Sequence, residues 1–199
     1  MRVFDPKSGK SFFEKRRLRY DEPGHARELT FCCYRGFKFL SRDRTCQWFI
    51  DALSEAQKKW SFDLWAYTLM PEHVHLLIHP RDPNLQAGRM VGEIKERVAR
   101  KAIAYIEDHA PEWLPRITVE EGKRTRRRFW QPGGGFDRNA IEPSTIYHMI
   151  DYIHANPIRR NLVERAEDWN WSSARWYAGM RPVPIEMGGT LPTLYRGEP

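Results

Sequence analysis

The chain has 199 residues, of which 41% are hydrophobic and 13% aromatic, and this is enough to bury the core of one domain. Its 33 Lys and Arg residues against 26 Asp and Glu give a formal charge of +7, which favours polyanionic partners such as nucleic acid. No apolar run is long enough to cross a membrane, and Met1–Tyr20 lacks the apolar centre of a secretory signal. We therefore expect a cytoplasmic protein without a membrane partner. The 3 cysteines lack C-x-x-C spacing, which disfavours a disulfide framework or a structural zinc site.

The first elements in chain order are an arm, a strand and a helix. Residues 1–26 form a basic and aromatic arm that we expect to be extended. The run RELTFCCYRG from Arg27 is rich in β-forming residues and predicts a strand. Ser41 is a candidate N-cap for the helix that follows, whose apolar residues between Trp48 and Ala56 have helical spacing.

The middle of the chain predicts a hairpin and a long helix. Ser61–Met70 and His73–Pro80 are two β-rich runs separated by Pro71 and Glu72, which suits adjacent antiparallel strands. Asn84–His109 carries an apolar stripe at helical spacing, with Asn84 as a plausible cap.

The last third is less regular. ITVEE and GKRTRRRFWQ predict one or two strands before a flexible Gly133–Gly135 segment. A helix is predicted from Pro143 to about His154, ending near Pro157. Residues 179–199 are rich in Pro and Gly, and we expect them to wrap loosely over the surface. Three tryptophans are predicted to pack the last helical segment onto the core: Trp169, Trp171 and Trp176.

The order β-α-β-β-α-β followed by one more helix predicts an α+β fold. It is typical of a ferredoxin-like, RRM-like antiparallel sheet with helices on one face. We expect the catalytic domain to span residues 27–178, with a C-terminal catalytic helix and an irregular tail.

Two histidines and one helix carry the candidate chemistry. His73 and His75 lie two residues apart on a predicted strand, so both imidazoles project from one face while Val74 points to the other. Two imidazoles side by side make half of a metal site, although two unrelated strand histidines would give the same pattern. Tyr152 and Asn156 are four residues apart and share one helical face.

If that helix packs beside the histidine strand, Asn156 can lend its amide oxygen as a third ligand. The phenol of Tyr152 would then lie next to a phosphate polarised by the metal, an arrangement suited to phosphodiester transesterification. Simpler interpretations remain: Tyr152 as a core residue, Tyr147 as the nucleophile, and Asn156 as a local helix-end residue.

Several blocks resemble one known family. YTLMPEHVHLLI (Tyr67–Ile78), IDYIHANPIRRNLV (Ile150–Val163) and DWNWSSARWY (Asp168–Tyr177) are similar to segments of the REP-associated tyrosine transposases, which belong to the HUH (His-hydrophobic-His) superfamily. PGHARELTF and RFWQPGGGFDRN also resemble family segments.

The resemblance implies Mg²⁺ or Mn²⁺ bound by His73 and His75, with Asn156 completing the metal set and Tyr152 as nucleophile. It also implies cutting and rejoining of single-stranded DNA through a 5′-phosphotyrosine. The implied substrates are single strands and hairpins formed by REP-like palindromes, and the implied location is the cytoplasm of a prokaryote, beside the nucleoid. The insertion at residues 122–128 and the Pro-rich tail depart from the compact members, which leaves the DNA specificity open.

Basic residues beside aromatic ones predict the DNA-binding surface, through phosphate contact and base stacking. One cluster lies in the N-terminal arm and another precedes Phe129 and Trp130, while Lys95 and Arg138 lie elsewhere in the chain. The predicted clusters are Arg16, Arg17 and Arg19, then Lys123, Arg124, Arg126, Arg127 and Arg128.

Two other functions fit the same residues. One is a domesticated, non-catalytic nucleic-acid binder, and the other is a metal-dependent phosphodiesterase that uses water and leaves Tyr152 as a packing residue. The sequence also leaves open whether the protein is a monomer or a homodimer, and whether the nucleophile acts on its own subunit's metal.

Overall fold

A computed structural model of the protein describes residues 2–5, 10–13 and 23–193. The first two segments are the strands β1 (Arg2–Asp5) and β2 (Lys10–Phe13), which pair antiparallel. The predicted DNA-binding arginines Arg16, Arg17 and Arg19 lie outside the described residues. Within the described part of the chain, no helix is both long enough and apolar enough to span a bilayer.

The core follows the predicted order of strands and helices. The first five elements of the core are β3 (Ala26–Cys32), α1 (Asp43–Trp60), β4 (Phe62–Leu69), β5 (His73–Pro80) and α2 (Ala87–His109). The remaining elements are α3 (Leu114–Ile117), β6 (Thr118–Glu121), β7 (Arg124–Arg127), β8 (Phe136–Ala140), α4 (Pro143–Arg159) and α5 (Ala174–Tyr177).

Four strands form one antiparallel sheet in the order β4-β5-β3-β8. This is the strand order of a ferredoxin-like fold, so the predicted fold class is confirmed. Thr30 on β3 lies opposite His75 on β5, and Glu28 lies opposite Arg138 on β8. The pleat therefore brings the side chains of these four residues to one face of the sheet.

The two faces of the sheet are covered by different helices. Helices α1 and α2 pack on one face, where Phe49 and Ile94 meet strand residues such as Val74. Helix α4 packs on the other face, where Ile150 and Ile153 meet Leu77. The candidate site lies on this second face, because only there does α4 approach the strands that carry the histidines.

The fourth strand of the sheet was not predicted. The predicted strands around ITVEE and GKRTRRRFWQ are β6 and β7, which form a separate hairpin. The sheet is completed instead by β8, which begins directly after Gly135. Gly135 has a φ of +75°, and a Cβ there would collide with the carbonyl oxygen of Thr30. A glycine is required where the chain joins the edge of the sheet.

Helix α4 continues past the predicted stop. It runs through Pro157 to Arg159, although a proline cannot bond the carbonyl four residues earlier. That carbonyl belongs to Ile153 and accepts a hydrogen bond from Thr68 Oγ1 on β4 at 3.1 Å instead. A neighbouring strand thus supplies the hydrogen bond that the proline removes.

Both predicted N-caps were wrong. Ser41 Oγ donates to the carbonyl of Lys38 at 2.8 Å, so it closes a turn before α1. Helix α2 begins at Ala87, because the backbone N–H of Asn84 is held by the Asp82 carboxylate at 2.8 Å in the preceding loop.

Two predictions about the C-terminal region had different outcomes. Trp171 and Trp176 pack against the main core as expected. The tail does not wrap loosely up to residue 190: Met187 is buried, and the backbone N–H of Gly188 bonds the Leu64 carbonyl at 3.0 Å. Trp65 Nε1 also donates to Thr190 Oγ1 at 3.0 Å, so this segment is fixed along β4. The backbone of this segment thus hydrogen-bonds to the edge of β4 that no other strand of the sheet pairs with.

Candidate active site

The paired histidines lie where β5 faces α4. Val74 is fully buried among the residues of α1 and α2, so His73 and His75 project from the opposite face. Their Nε2 atoms are 3.0 Å apart, and the two rings meet edge to face at 83°. The strand therefore points two ring nitrogens at one place.

The other ring nitrogens are held by neighbouring side chains. His75 Nδ1 lies 2.9 Å from Thr30 Oγ1, and His73 Nδ1 lies 3.1 Å from Glu72 Oε1. A carboxylate at Nδ1 favours the tautomer that leaves a lone pair on Nε2. Glu72 Oε1 also accepts from Arg160 Nη2 at 3.1 Å, which ties the end of α4 to the histidine pair.

Burial keeps both imidazoles in the neutral form. Burial and, to a smaller extent, the neighbouring His73 together lower the pKa of His75 to about 3. Burial also lowers the pKa of His73, against the opposing effect of Glu72. The two Nε2 atoms are at hydrogen-bond distance, 3.0 Å apart, so one of them donates to the other. Neutral imidazoles are also the form that binds a metal ion, so a cation could replace the proton they share.

Helix α4 places Tyr152 at the edge of this pair. The tyrosine is 44% exposed, its ring centroid is 5.9 Å from that of His75, and the two ring planes are nearly perpendicular. The Arg159 guanidinium lies 5.2 Å from the centre of the tyrosine ring. The phenol is thus open to solvent while its ring is held beside the histidines of the same chain.

The other two helix residues considered from the sequence differ in position. Asn156 is buried and donates its amide nitrogen to the Tyr152 carbonyl at 2.7 Å, so its amide oxygen is the atom left for a ligand. Tyr147 donates its hydroxyl to the Pro192 carbonyl at 3.1 Å, in the tail. Its hydroxyl is therefore engaged away from the histidines.

The two imidazoles could supply two nitrogen ligands to a divalent cation. Within the part of the chain that the structure describes, no group of three His, Cys, Asp or Glu side chains is placed to hold a metal ion. A cation at His73 and His75 would therefore need oxygen ligands of another kind, such as an amide, water or phosphate.

The predicted basic residues are spread over the molecule. The hairpin β6–β7 holds Arg124, Arg126 and Arg127, and its arginines pair with Glu107 and Glu121. Lys95 on α2 donates to the carbonyls of Gln131 and Gly133. Lys123 and Arg128 flank the same hairpin. Of the predicted basic residues that the structure describes, Arg138 lines the cleft next to Tyr152.

This cleft has a volume of about 560 Å³ and lies between β3, β8 and α4. His75 and Tyr152 line it, together with residues that the sequence did not single out: Glu28, Thr30, Phe136, Thr145, His148 and Met149. Strand alternation alone would have put Glu28 and Thr30 on one face. Which strand they would neighbour depends on the sheet order.

Comparisons with known proteins agree with this fold. Residues 26–156 match the family described as Transposase IS200 like. A REP-associated tyrosine transposase of Haemophilus influenzae is 24% identical over 179 residues, covering 81% of this chain and 91% of the relative. The REP-associated tyrosine transposase of Escherichia coli is 23% identical over 148 residues, covering 74% of this chain and 75% of the relative.

One solved structure shares the fold with a TM-score of 0.65 and 18% sequence identity. It is a REP-associated tyrosine transposase bound to a REP hairpin, and the match covers 94% of this chain and 98% of that one. The fold and the site define an α+β protein with a cleft at one sheet face that His75 and Tyr152 line. The chain belongs to the IS200-like transposase family.

Proposed function

We propose that this chain cuts and rejoins single-stranded DNA through a covalent bond between Tyr152 and a 5′ phosphate. One observation carries the proposal: the exposed Tyr152 lies against His75 in one cleft, and the Nε2 atom of His75 is 3.0 Å from that of His73. Family membership supports the same chemistry.

The reaction conserves bond energy. The phenolic oxygen of Tyr152 attacks the scissile phosphorus, the bond to the 3′ oxygen breaks, and the phenolic proton passes to solvent. The departing 3′ oxygen takes up a proton and becomes a free hydroxyl. Attack by a 3′ hydroxyl on the phosphotyrosine reverses these steps and rejoins a strand, so no nucleotide cofactor is needed. Arg159 places a positive charge where the phosphate docks.

The proposed cofactor is Mg²⁺ or Mn²⁺, held by Nε2 of His73, Nε2 of His75 and the amide oxygen of Asn156. A bound divalent ion supplies positive charge to the phosphate and to the departing 3′ oxygen. The contacts of Thr30 and Glu72 with the two Nδ1 atoms support this set, because an Nδ1–H that donates to an oxygen leaves Nε2 free for a metal ion.

The proposed substrate is a DNA hairpin with a single-stranded flank. A relative with the same fold has been solved bound to a REP hairpin, and the basic hairpin β6–β7 offers phosphate contacts away from the cleft. Because such a substrate is chromosomal, we place the protein in the bacterial cytoplasm, associated with the nucleoid.

The test uses 3′-labelled hairpins that include a REP hairpin and a pool with randomised single-stranded flanks. In Mn²⁺, we expect the wild-type protein to form an adduct that resists denaturation, and Tyr152→Phe to form none. Tyr147→Phe is the matched control and should retain the adduct, since its hydroxyl contacts only the tail carbonyl.

Two results would contradict the proposal. Binding of hairpins without any adduct would identify a non-catalytic binder. Cleavage that survives Tyr152→Phe would identify hydrolysis by water.

A further inference from the structure

The carboxylate of Glu28, in the cleft, has no hydrogen bond or salt bridge with the described side chains. Glu28 is 6% exposed and lines the cleft beside Tyr152, yet none of the described residues gives it a hydrogen bond or an ion pair. Burial raises its pKa, against a smaller lowering by the Arg138 guanidinium on the neighbouring strand. The carboxylate faces the cleft and is largely shielded from bulk water, so a ligand in the cleft that brings hydrogen-bond donors would stabilise its charged form.

Another buried carboxylate in the chain shows the contrast. Asp63 is 2% exposed, but it pairs with Arg81 and accepts from Thr190 Oγ1 at 2.7 Å. These partners lower its pKa. Glu28 lacks any equivalent among the described side chains, so packing alone does not account for it.

Glu28 is also separate from the proposed metal ligands. It lies opposite Leu77 on β5, whereas Thr30 lies opposite His75, so it is one pleat repeat away from the histidine. It does not complete a three-residue His, Cys, Asp or Glu group in the described chain. Its partner must enter through the cleft.

The neighbouring strand offers a stacking surface on the same face of the sheet. Phe136 is 49% exposed on the edge strand β8, and it lines the same cleft as Glu28. Arg138 is two residues along and shares its face of the sheet. Exposed aromatics stack on unpaired bases, and an adjacent cation contacts the phosphate. A volume of about 560 Å³ accommodates one nucleotide.

We propose that this cleft binds one unpaired nucleobase next to the scissile phosphate, with Phe136 stacked on the base and Glu28 accepting hydrogen bonds from its edge. The inference rests on the proposed function for the position of the scissile phosphate. Two carboxylate oxygens match bases that present an amino group, which are adenine, cytosine and guanine. Thymine presents one ring N–H between two carbonyl oxygens, and these repel the carboxylate.

The experiment measures binding separately from cleavage. Tyr152→Phe protein is titrated with labelled hairpins that differ at one unpaired position in turn, carrying each of the four bases or an abasic site. At one position next to the cleavage site we expect an amino-bearing base to bind about tenfold more tightly than thymine. Two variants are made in this background, Glu28→Gln and Phe136→Ala. The control for the first is Glu164→Gln, at an exposed glutamate. The control for the second is Phe136→Trp, which keeps a ring that can stack.

Each variant has its own expected result. Glu28→Gln should reduce the preference to about threefold or less, with the thymine affinity unchanged. Phe136→Ala should lower the affinity for hairpins with any of the four bases to that for the abasic hairpin. Phe136→Trp and Glu164→Gln should bind like the parent protein. Midpoints of thermal unfolding are recorded for every variant.

The inference is overturned if no unpaired position shows a base preference, or if Glu28→Gln leaves the preference intact or weakens all bases equally. Failure of the proposed function is a different result: the wild-type protein then forms no adduct, while the base preference of Tyr152→Phe is still measurable.

Discussion

The ring of Tyr152 stands edge-on to the imidazole of His75, with ring centroids 5.9 Å apart and ring planes at 89°. The two residues come from different elements, the helix α4 and the strand β5, of a single chain. A buried apolar contact among Leu77, Ile150 and Ile153 holds these elements together. Ordinary core packing thus sets the position of Tyr152 relative to His75.

Loss of a histidine should separate cleavage from binding. His73→Ala removes one of the two converging nitrogens, so we expect cleavage to fall by at least about 100-fold. Hairpin affinity should stay within about threefold, because basic residues elsewhere supply most of it. Gel assays and anisotropy measure the two quantities, with His109→Ala as control, since His109 stacks on Tyr105 at 4.1 Å. An equal loss of cleavage and of hairpin affinity in His73→Ala would contradict this prediction.

The Glu72 carboxylate should tune metal affinity. It contacts both His73 Nδ1 and Arg160 Nη2 at 3.1 Å, so Glu72→Gln removes a charge that fixes the imidazole. We expect the affinity for Mn²⁺ to fall by about 10–100-fold in calorimetric titrations. Glu167→Gln, which breaks only the pair with Arg165, is the control. An unchanged Mn²⁺ affinity in Glu72→Gln would refute this role.

Thr68 should stabilise the proline-containing helix. Thr68→Val leaves the Ile153 carbonyl with only the weaker 3.5 Å bond from Asn156 Nδ2 and also removes the hydroxyl contact with Ser172. We expect a loss of about 1–3 kcal/mol in the free energy of unfolding. In Pro157→Ala the new N–H can bond that carbonyl, so the same Thr68→Val change should cost less. Denaturant unfolding of the four proteins of this cycle measures the coupling. Purely additive effects would show that Thr68 does not substitute for the missing bond.

Glu28 should lower stability at neutral pH. Burial raises its pKa above the unfolded value of 4.5, so the folded state binds its proton more readily than the unfolded state does. The loss of stability caused by the buried, charged carboxylate is present in full above the pKa of the folded state. It disappears as the pH falls towards 4.5, because the carboxylate is then protonated. We expect Glu28→Gln to raise the unfolding midpoint by about 2–4 °C above pH 7 and to lose this gain in acid. Thermal unfolding across pH tests this, and a gain independent of pH would count against it.

The regular elements could be predicted from the sequence because their patterns are local. The β-rich run His73–Pro80 and the apolar stripe of α2 indicate their own structure. Strand β8 has no such signal: Asp137, Arg138 and Asn139 are poor strand formers. Pairing with β3 imposes the extended conformation there. Likewise, the continuation of α4 past Pro157 depends on Thr68, which is distant in sequence.

In the candidate site, too, local patterns could be predicted from the sequence and long-range contacts could not. The spacings of His73 with His75, and of Tyr152 with Asn156, were visible in the sequence, and the structure brings Tyr152 next to His75. Their neighbours were not visible, because Glu28 and Thr30 reach the cleft only through the sheet order β5-β3-β8. Strand order depends on long-range packing, which one sequence does not reveal.

The most direct test of the central claim is to identify the residue that carries the DNA. The adduct formed in Mn²⁺ is digested with nuclease and protease, and its peptides are sequenced by mass spectrometry. The expected result is a nucleotide joined through its 5′ phosphate to Tyr152, with Tyr147 unmodified. A nucleotide on Tyr147, on any other residue, or a 3′ linkage would contradict the proposed mechanism.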